Sequence, residues 1–170
     1  MKRVVIDTNV AIVANGNPDP NNRTQHSLKC RLAAVERLKR APESECVFLD
    51  LEGEIEREYR RHLNPSGQPG VGDQFYLRVL HSAPRRVERV ALSRRSDGEY
   101  EALPQILIDA GFDPSDRKFA ALAKKTGARV LNAVDSDWIE HAETLRHASI
   151  LVENVCGCES SAWFEPASRD

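Results

Sequence analysis

The chain has 170 residues, 41% hydrophobic and 29% charged, with a formal net charge of −2. That length suits one domain with a proper core, and the near-neutral balance excludes a globally basic polyanion binder while leaving local basic patches open. No apolar run is long enough to cross a bilayer, and MKRVVIDTNV, interrupted by Asp7 and lacking a small-residue cleavage site, does not read as a signal peptide, so a cytoplasmic protein is expected.

The elements follow in chain order. Residues 3–7, RVVID, form a short apolar run ending in an acid and read as a buried strand. The Asn- and Pro-dense stretch 14–22 reads as a loop. A helix is predicted over 24–40, with Leu28, Leu32, Val35 and Leu38 at helical spacing. Residues 46–50, CVFLD, form a second buried strand ending in an acid. Gly53 closes a turn, and a helix is predicted over 54–63. NPSGQPGVGD, 64–73, reads as a Gly/Pro-rich loop, and glycines in such a loop permit close backbone approach to a phosphate. An amphipathic helix over 74–81, a third strand over 87–92 and a short helix after Pro104 come next.

DPSDRKFAALAKKTG carries the clearest helix signals: Asp113 as a cap, Pro114 at the first helical position, Asp116 in the first turn, Lys124 and Lys125 in the last, and Gly127 as the stop. The strand ARVLN, a helix over 138–147 and a last strand, SILVENV, complete the pattern. Alternating strands and helices predict an α/β sandwich with a central, mostly parallel sheet. One domain is expected over 1–165, with a disordered tail over 166–170.

Four cysteines are too few for a disulfide framework, and Cys156 and Cys158 form a Cys-x-Cys pair far from Cys30 and Cys46. Buried thiols are the preferred reading and a zinc site the lesser one. Arginines cluster at Arg57, Arg60 and Arg61, at Arg85, Arg86 and Arg89, and at Arg94 and Arg95; each cluster alone reads as a solvated face.

The acids carry more. Ligands of parallel sheets bind outside the carboxyl ends of the strands. Asp7 sits at such an end, Asp135 and Asp137 follow another, and Glu54, Glu58 and Asp116 open helices at the same edge. Each alone reads as a cap, a turn former or helix surface. Together they form a cluster whose repulsion calls for a cation: two carboxylates about 4 Å apart repel by roughly 4 kcal/mol at an effective dielectric near 20. An all-carboxylate set suits Mg²⁺ or Mn²⁺, and the lack of histidine in these motifs argues against zinc.

On these residues the sequence resembles the PIN-domain nucleases. VVIDTNV matches the family's first motif, an apolar strand ending in Asp-Thr-Asn, and FDPSDRKFAALAKKTGARVLNAVDSDW matches its later ones. The resemblance implies an α/β/α sandwich, bound Mg²⁺ or Mn²⁺, and metal ligands at Asp7, Asp116 and Asp135, with Asp137 auxiliary and Thr8 and Asn9 supporting. For the second acid of the family pattern Glu58 matches best; Glu54 is the alternative and Asp50 a distant third. The implied activity is endoribonuclease cleavage of RNA, toxin-like or defence-related, with an antitoxin or other protein partner, homodimerisation left open and no membrane association. A structure-specific DNA nuclease and a non-catalytic PIN-fold module are the alternatives. A phosphatase-like site is disfavoured because Asn9 stands where such enzymes place a second Asp. The long early helix and the loop 66–75 depart from the minimal family pattern and weaken the toxin reading more than the nuclease reading.

Overall fold

The computed structural model describes residues 1–17 and 24–166; most of the expected loop 14–22 and of the expected tail 166–170 lies outside them. Five parallel strands form one sheet: β1 (Lys2–Ile6), β2 (Glu45–Asp50), β3 (Val87–Val90), β4 (Arg129–Asn132) and β5 (Val152–Asn154), in the order β3-β2-β1-β4-β5. β1 lies at the centre and pairs with β2 through Arg3 and Cys46 and with β4 through Val5 and Val130. Val4, Val5 and Ile6 are all buried because helices cover both faces, which explains a continuous apolar run instead of alternation.

Among the described residues eight helices flank the sheet: α1 (Thr8–Asn15), α2 (Leu28–Ser44), α3 (Glu54–His62), α4 (Val71–His81), α5 (Gln105–Asp109), α6 (Arg117–Thr126), α7 (Asp137–Glu140) and α8 (Ala142–His147). α1, α2 and α4 pack on one another, α6 packs on β1, β2 and β4, and α5 meets α8. Right-handed crossovers put α1 to α4 on one face and α5 to α8 on the other, the sandwich expected from the sequence. Among the described residues no helix is long and apolar enough to cross a membrane.

Several boundaries differ from the sequence expectation, each for a physical reason. α2 begins at Leu28 rather than at 24, because Ser27 caps it and residues 25–27 instead bond to the C-terminal segment through Ser27 N to Trp163 O (2.8 Å) and Glu165 N to Gln25 O (2.8 Å). Its buried face is Cys30, Ala34, Arg37, Leu38 and Ala41, whereas Leu28 and Leu32 are exposed. Of the four positions expected on the apolar face, Leu38 is buried and Val35 packs against the core, while small residues, Cys30, Ala34 and Ala41, take the place of the first two leucines. α6 begins after Asp116, not at Pro114: the Asp113 carboxylate accepts from Ser115 N (2.8 Å) and Ser115 Oγ (2.7 Å), closing a separate turn. The helix expected over 138–147 is two, broken at His141.

Two features lay outside the sequence reading. Arg37, only 6% exposed, donates to Glu45 (2.6 and 3.1 Å) and to Glu153 (2.7 and 3.4 Å), tying α2 to β2 and β5. Cys30 and Cys156, 126 residues apart, form a disulfide, and the Cys158 Sγ lies 2.8 Å from that of Cys156. The expectation of buried thiols is thereby corrected for Cys30 and Cys156, while Cys158 is a free, half-buried thiol beside them. Cys46 alone is a free buried thiol in the core.

The glycine-rich segment after α3 serves packing. α4 starts at Val71, inside the expected loop. The Asp73 carboxylate accepts from Gly70 N (3.0 Å), Asn64 N (2.8 Å) and Asn15 Nδ2 (3.0 Å), and so fastens the segment to the end of α1. A Cβ on Gly72 would stand 2.1 Å from the Ala11 carbonyl oxygen, and one on Gly70 would stand 2.1 Å from Asn15 Oδ1. These glycines admit a helix, not a phosphate. Gly72→Ala is expected to destabilise the fold by roughly 1–3 kcal/mol through overpacking, read as a lower midpoint in urea.

Candidate active site

Strand order reverses direction between β1 and β4, and the crevice at such a switch point is where open α/β sheets bind ligands. Asp7 ends β1 there and caps α1, its Oδ1 accepting from Asn9 N at 2.9 Å. Its Oδ2 accepts from Trp138 Nε1 at 2.8 Å. Asp116 stands immediately before α6, and Asp135 lies on the turn after β4. One ligand oxygen from each of Asp7, Asp116 and Asp135 lies within 4.8 Å of the others. A cleft of about 650 Å³ is lined by two of them, Asp116 and Asp135, together with Asn9, Ser160, Trp163 and Phe164.

The turn that carries Asp135 is set by two amides. Asn9 Oδ1 accepts from Ala133 N (2.8 Å), and Asn9 Nδ2 donates to Asn132 Oδ1 (3.0 Å). Asn132, fully buried, also accepts from Asp135 N (3.1 Å) and donates to Asp135 O (3.0 Å) and Asn154 Oδ1 (3.0 Å). Asn9 thus bonds both the backbone and a side chain of the facing turn.

The second-acid alternatives separate clearly in space. Glu58 accepts from Thr8 Oγ1 at 2.5 Å and pairs with Lys118 Nζ at 2.5 Å, next to Asp7 but outside the three-acid group. Glu54 turns away to Arg94 (2.6 Å) and the Tyr100 hydroxyl. Asp50 is a cap, accepting from Glu54 N (2.6 Å) and Ile55 N (2.9 Å). Asp137 also points elsewhere, to Asp113 N (2.9 Å) and His141 Nδ1 (3.0 Å), while its own N–H donates to Asp135 Oδ1 (2.9 Å). Much of the arginine content pairs with acids on the surface: Arg60 and Arg89 with Glu56, Arg94 with Glu54, Arg95 with Asp97.

Crowding and burial disfavour the charged forms of all three acids. Burial is the main cause pushing the Asp7 carboxyl up to about 7, with the Asn9 N–H opposing it and the charges of Asp135 and Glu58 adding to it. Burial and then the Asp7 and Asp135 charges push Asp116 up to about 9. Asp135 is raised by burial first and then by the charges of Asp137, Asp113 and Glu140, with the Asp137 N–H opposing. Among the described residues no hydrogen-bond donor reaches the Asp116 carboxylate, although it is only 6% exposed. Three neighbouring carboxylates, two of which line the cleft, are a set of oxygens that fits a hard divalent cation.

Trp138, Lys118 and Asn132 escaped the sequence reading. Trp138 follows the Asp-Ser-Asp run, and its ring packs edge-on against Phe112 at 5.0 Å. Lys118 lies two residues after Asp116 and is almost fully buried. A lysine in a helix and an asparagine ending a strand carry no signal until their partners are known.

The sequence matches no established family description and no curated protein. Two solved chains are similar to it in structure. One comes from the crystal structure of VapBC2 from Rickettsia felis bound to a DNA fragment from their promoter, with 15% identity, a TM-score of 0.50 and coverage of 89% of this chain and 98% of that one. The other comes from the structure of FitAB bound to an IR36 DNA fragment, with 18% identity, a TM-score of 0.46 and coverage of 92% and 97%. At such identity the first likeness speaks for the fold, and the fold is that of a PIN domain.

Two outcomes follow from the electrostatics. A carboxyl whose folded pKa exceeds its ordinary 3.8 adds stability below about pH 4 and loses it as pH rises through the folded value. Metal-free protein should therefore melt at progressively lower temperature from pH 5 to pH 9. His141, raised above 6.5, contributes in the same direction. Asp116→Asn should flatten the acid contribution and leave that of His141. Trp138→Phe removes one hydrogen bond from Asp7 while keeping an aromatic ring, and should weaken Mn²⁺ binding by roughly 10–100-fold, measured by calorimetry.

Proposed function

We propose that the chain is a Mg²⁺- or Mn²⁺-dependent endoribonuclease whose metal is held by Asp7, Asp116 and Asp135. The observation that carries this reading is the convergence of three buried carboxylates, from residues 7, 116 and 135, at the switch point of a PIN-type sheet. Such an ion, when bound, polarises a phosphate oxygen and lowers the pKa of coordinated water.

The chain's own residues prepare that chemistry. Trp138 and the Asn9 N–H each hold one oxygen of Asp7, which fixes its plane. Asn9 and Asn132 fix the turn that presents Asp135. Glu58, kept in place by Thr8 and Lys118, adds a fourth negative charge next to Asp7 and is the acid placed to join the site; Glu54 and Asp137 are not. Lys118 offsets that charge. Phe164, which lines the cleft, offers a ring on which an unpaired base can stack, which favours single-stranded RNA.

The working context is a toxin–antitoxin pair in the cytoplasm, with an antitoxin-type protein as partner. The Rickettsia felis neighbour, VapBC2 bound to promoter DNA, supports that context through its fold alone.

Incubation of the purified chain with single-stranded RNA and DNA oligonucleotides, in Mn²⁺, Mg²⁺ or EDTA, tests the proposal. RNA cleavage should need the ion and fall to background in Asp7→Asn, Asp116→Asn and Asp135→Asn, with the double variants no worse than the single ones. Glu58→Gln should impair cleavage more than Glu54→Gln. Cleavage of DNA but not RNA would move the assignment to a DNA nuclease. Wild-type cleavage by Asp7→Asn would exclude this site.

A further inference from the structure

We propose that Cys30, Cys156 and Cys158, in their reduced form, make a second metal site: a three-thiolate centre for Zn²⁺ or another thiophilic ion. It is distinct from the carboxylate site in donor chemistry. The sulfurs of all three lie within 4.8 Å of one another. They come from opposite ends of the chain, 126 residues apart, so no local sequence preference gathers them.

The backbone aims them. Cys30 is the third residue of α2, and its N–H bonds to the Ser27 cap at 3.3 Å. The first turn of a 17-residue helix favours a thiolate there. Gly157 takes a left-handed φ of 63° between the other two cysteines. That reversal turns both sulfurs toward Cys30.

A disulfide alone accounts for two of the sulfurs and leaves the third without a reason to be there. Thiol exchange by Cys158 does not supply one. Displacement requires Cys158 to approach Cys156 in line with its bond to Cys30, which would hold Cys158 about 4.8 Å from Cys30, given an S–S bond near 2.05 Å. The Cys158 Sγ instead lies 2.8 Å from Cys156 and 3.5 Å from Cys30, beside both. A cluster around a common centre has that shape, and thiolates are the ligands that soft ions select. Reduction by a dithiol breaks the Cys30–Cys156 bond to two thiols and oxidises the reductant to its own disulfide. Binding of the ion then releases the three S–H protons to solvent. Solvent completes the coordination.

The site fastens the segment that follows Cys158 onto the start of α2. That segment is also held by the Trp163 carbonyl to Ser27 N, by the His26–Phe164 ring contact at 5.2 Å and by the Arg31–Glu165 ion pair. It carries Trp163 and Phe164, which wall the cleft.

The test is anaerobic titration of the fully reduced chain with Co²⁺. A near-ultraviolet thiolate-to-cobalt charge-transfer band should rise to one equivalent, and Zn²⁺ should abolish it. Carboxylates give no such band, so the result is independent of the nuclease reading. Zn²⁺ should also protect Cys30, Cys156 and Cys158 of the wild-type chain from alkylation. Cys158→Ser should weaken the Co²⁺ complex at least as much as the roughly 10–100-fold that loss of an outer-shell partner costs, whereas Cys46→Ser should leave it unchanged. A reduced chain that gives no band, a Cys158 that alkylates equally fast with and without Zn²⁺, or a Cys158→Ser variant that binds Co²⁺ like wild type would each overturn the proposal.

Discussion

Like charges brought together in a low dielectric repel, and the chain does this with Asp7, Asp116 and Asp135. Most of what surrounds the cleft is explained by that constraint. Trp138 and a backbone N–H stabilise Asp7, while Lys118 and Thr8 neutralise and orient Glu58. Burial first, and the mutual repulsion after it, favour protonation, which is why the Asp7 and Asp116 carboxyls are held up at about 7 and about 9. The stabilities of the sheet and of the site therefore pull in opposite directions at neutral pH. A bound divalent ion removes that opposition.

The sheet supplies the geometry that makes such crowding possible. Because β2 and β3 lie on one side of β1 while β4 and β5 lie on the other, the chain leaves the carboxyl ends of β1 and β4 in diverging directions. The space between them is the cleft. A helix start and a turn then deliver Asp116 and Asp135 without any strand having to bend. At the opposite edge Arg37 holds two acids, Glu45 and Glu153, and ties α2 to β2 and to the last strand. There, permanent cation and anions are matched within the protein; at the cleft three carboxylates meet with no such internal partner for Asp116.

The strands and the three central acids could be read from residue order, because each signal is local: an apolar run ending in Asp, or an Asp shortly before an Ala-rich helix. Gly53 also marked the start of α3 correctly, with its φ of 75°. What could not be read was whatever depends on a distant partner. Choosing between Glu54 and Glu58 required knowing that Arg94 and Tyr100 wait for one, and Thr8 and Lys118 for the other. Trp138 looked like an ordinary core aromatic until its indole N–H met Asp7. The gathering of Cys30 with Cys156 and Cys158 was hidden for the same reason, and so was the use of Gly70 and Gly72 as contact points for α1.

The paired amides of Asn9 and Asn132 deserve a final chemical reading. Asn132 must accept two hydrogen bonds and donate two at once, and Asn9 must accept from one backbone N–H while donating to Asn132. Only a carboxamide presents both polarities on one planar group. A carboxylate of the same shape would supply acceptors alone, turning two attractions into oxygen–oxygen contacts and placing another anion beside the acids. The neutral amides thus draw the boundary of the anionic cluster. They let the turn be knitted tightly without feeding its charge, so the scaffold of the turn adds no negative group to the cleft.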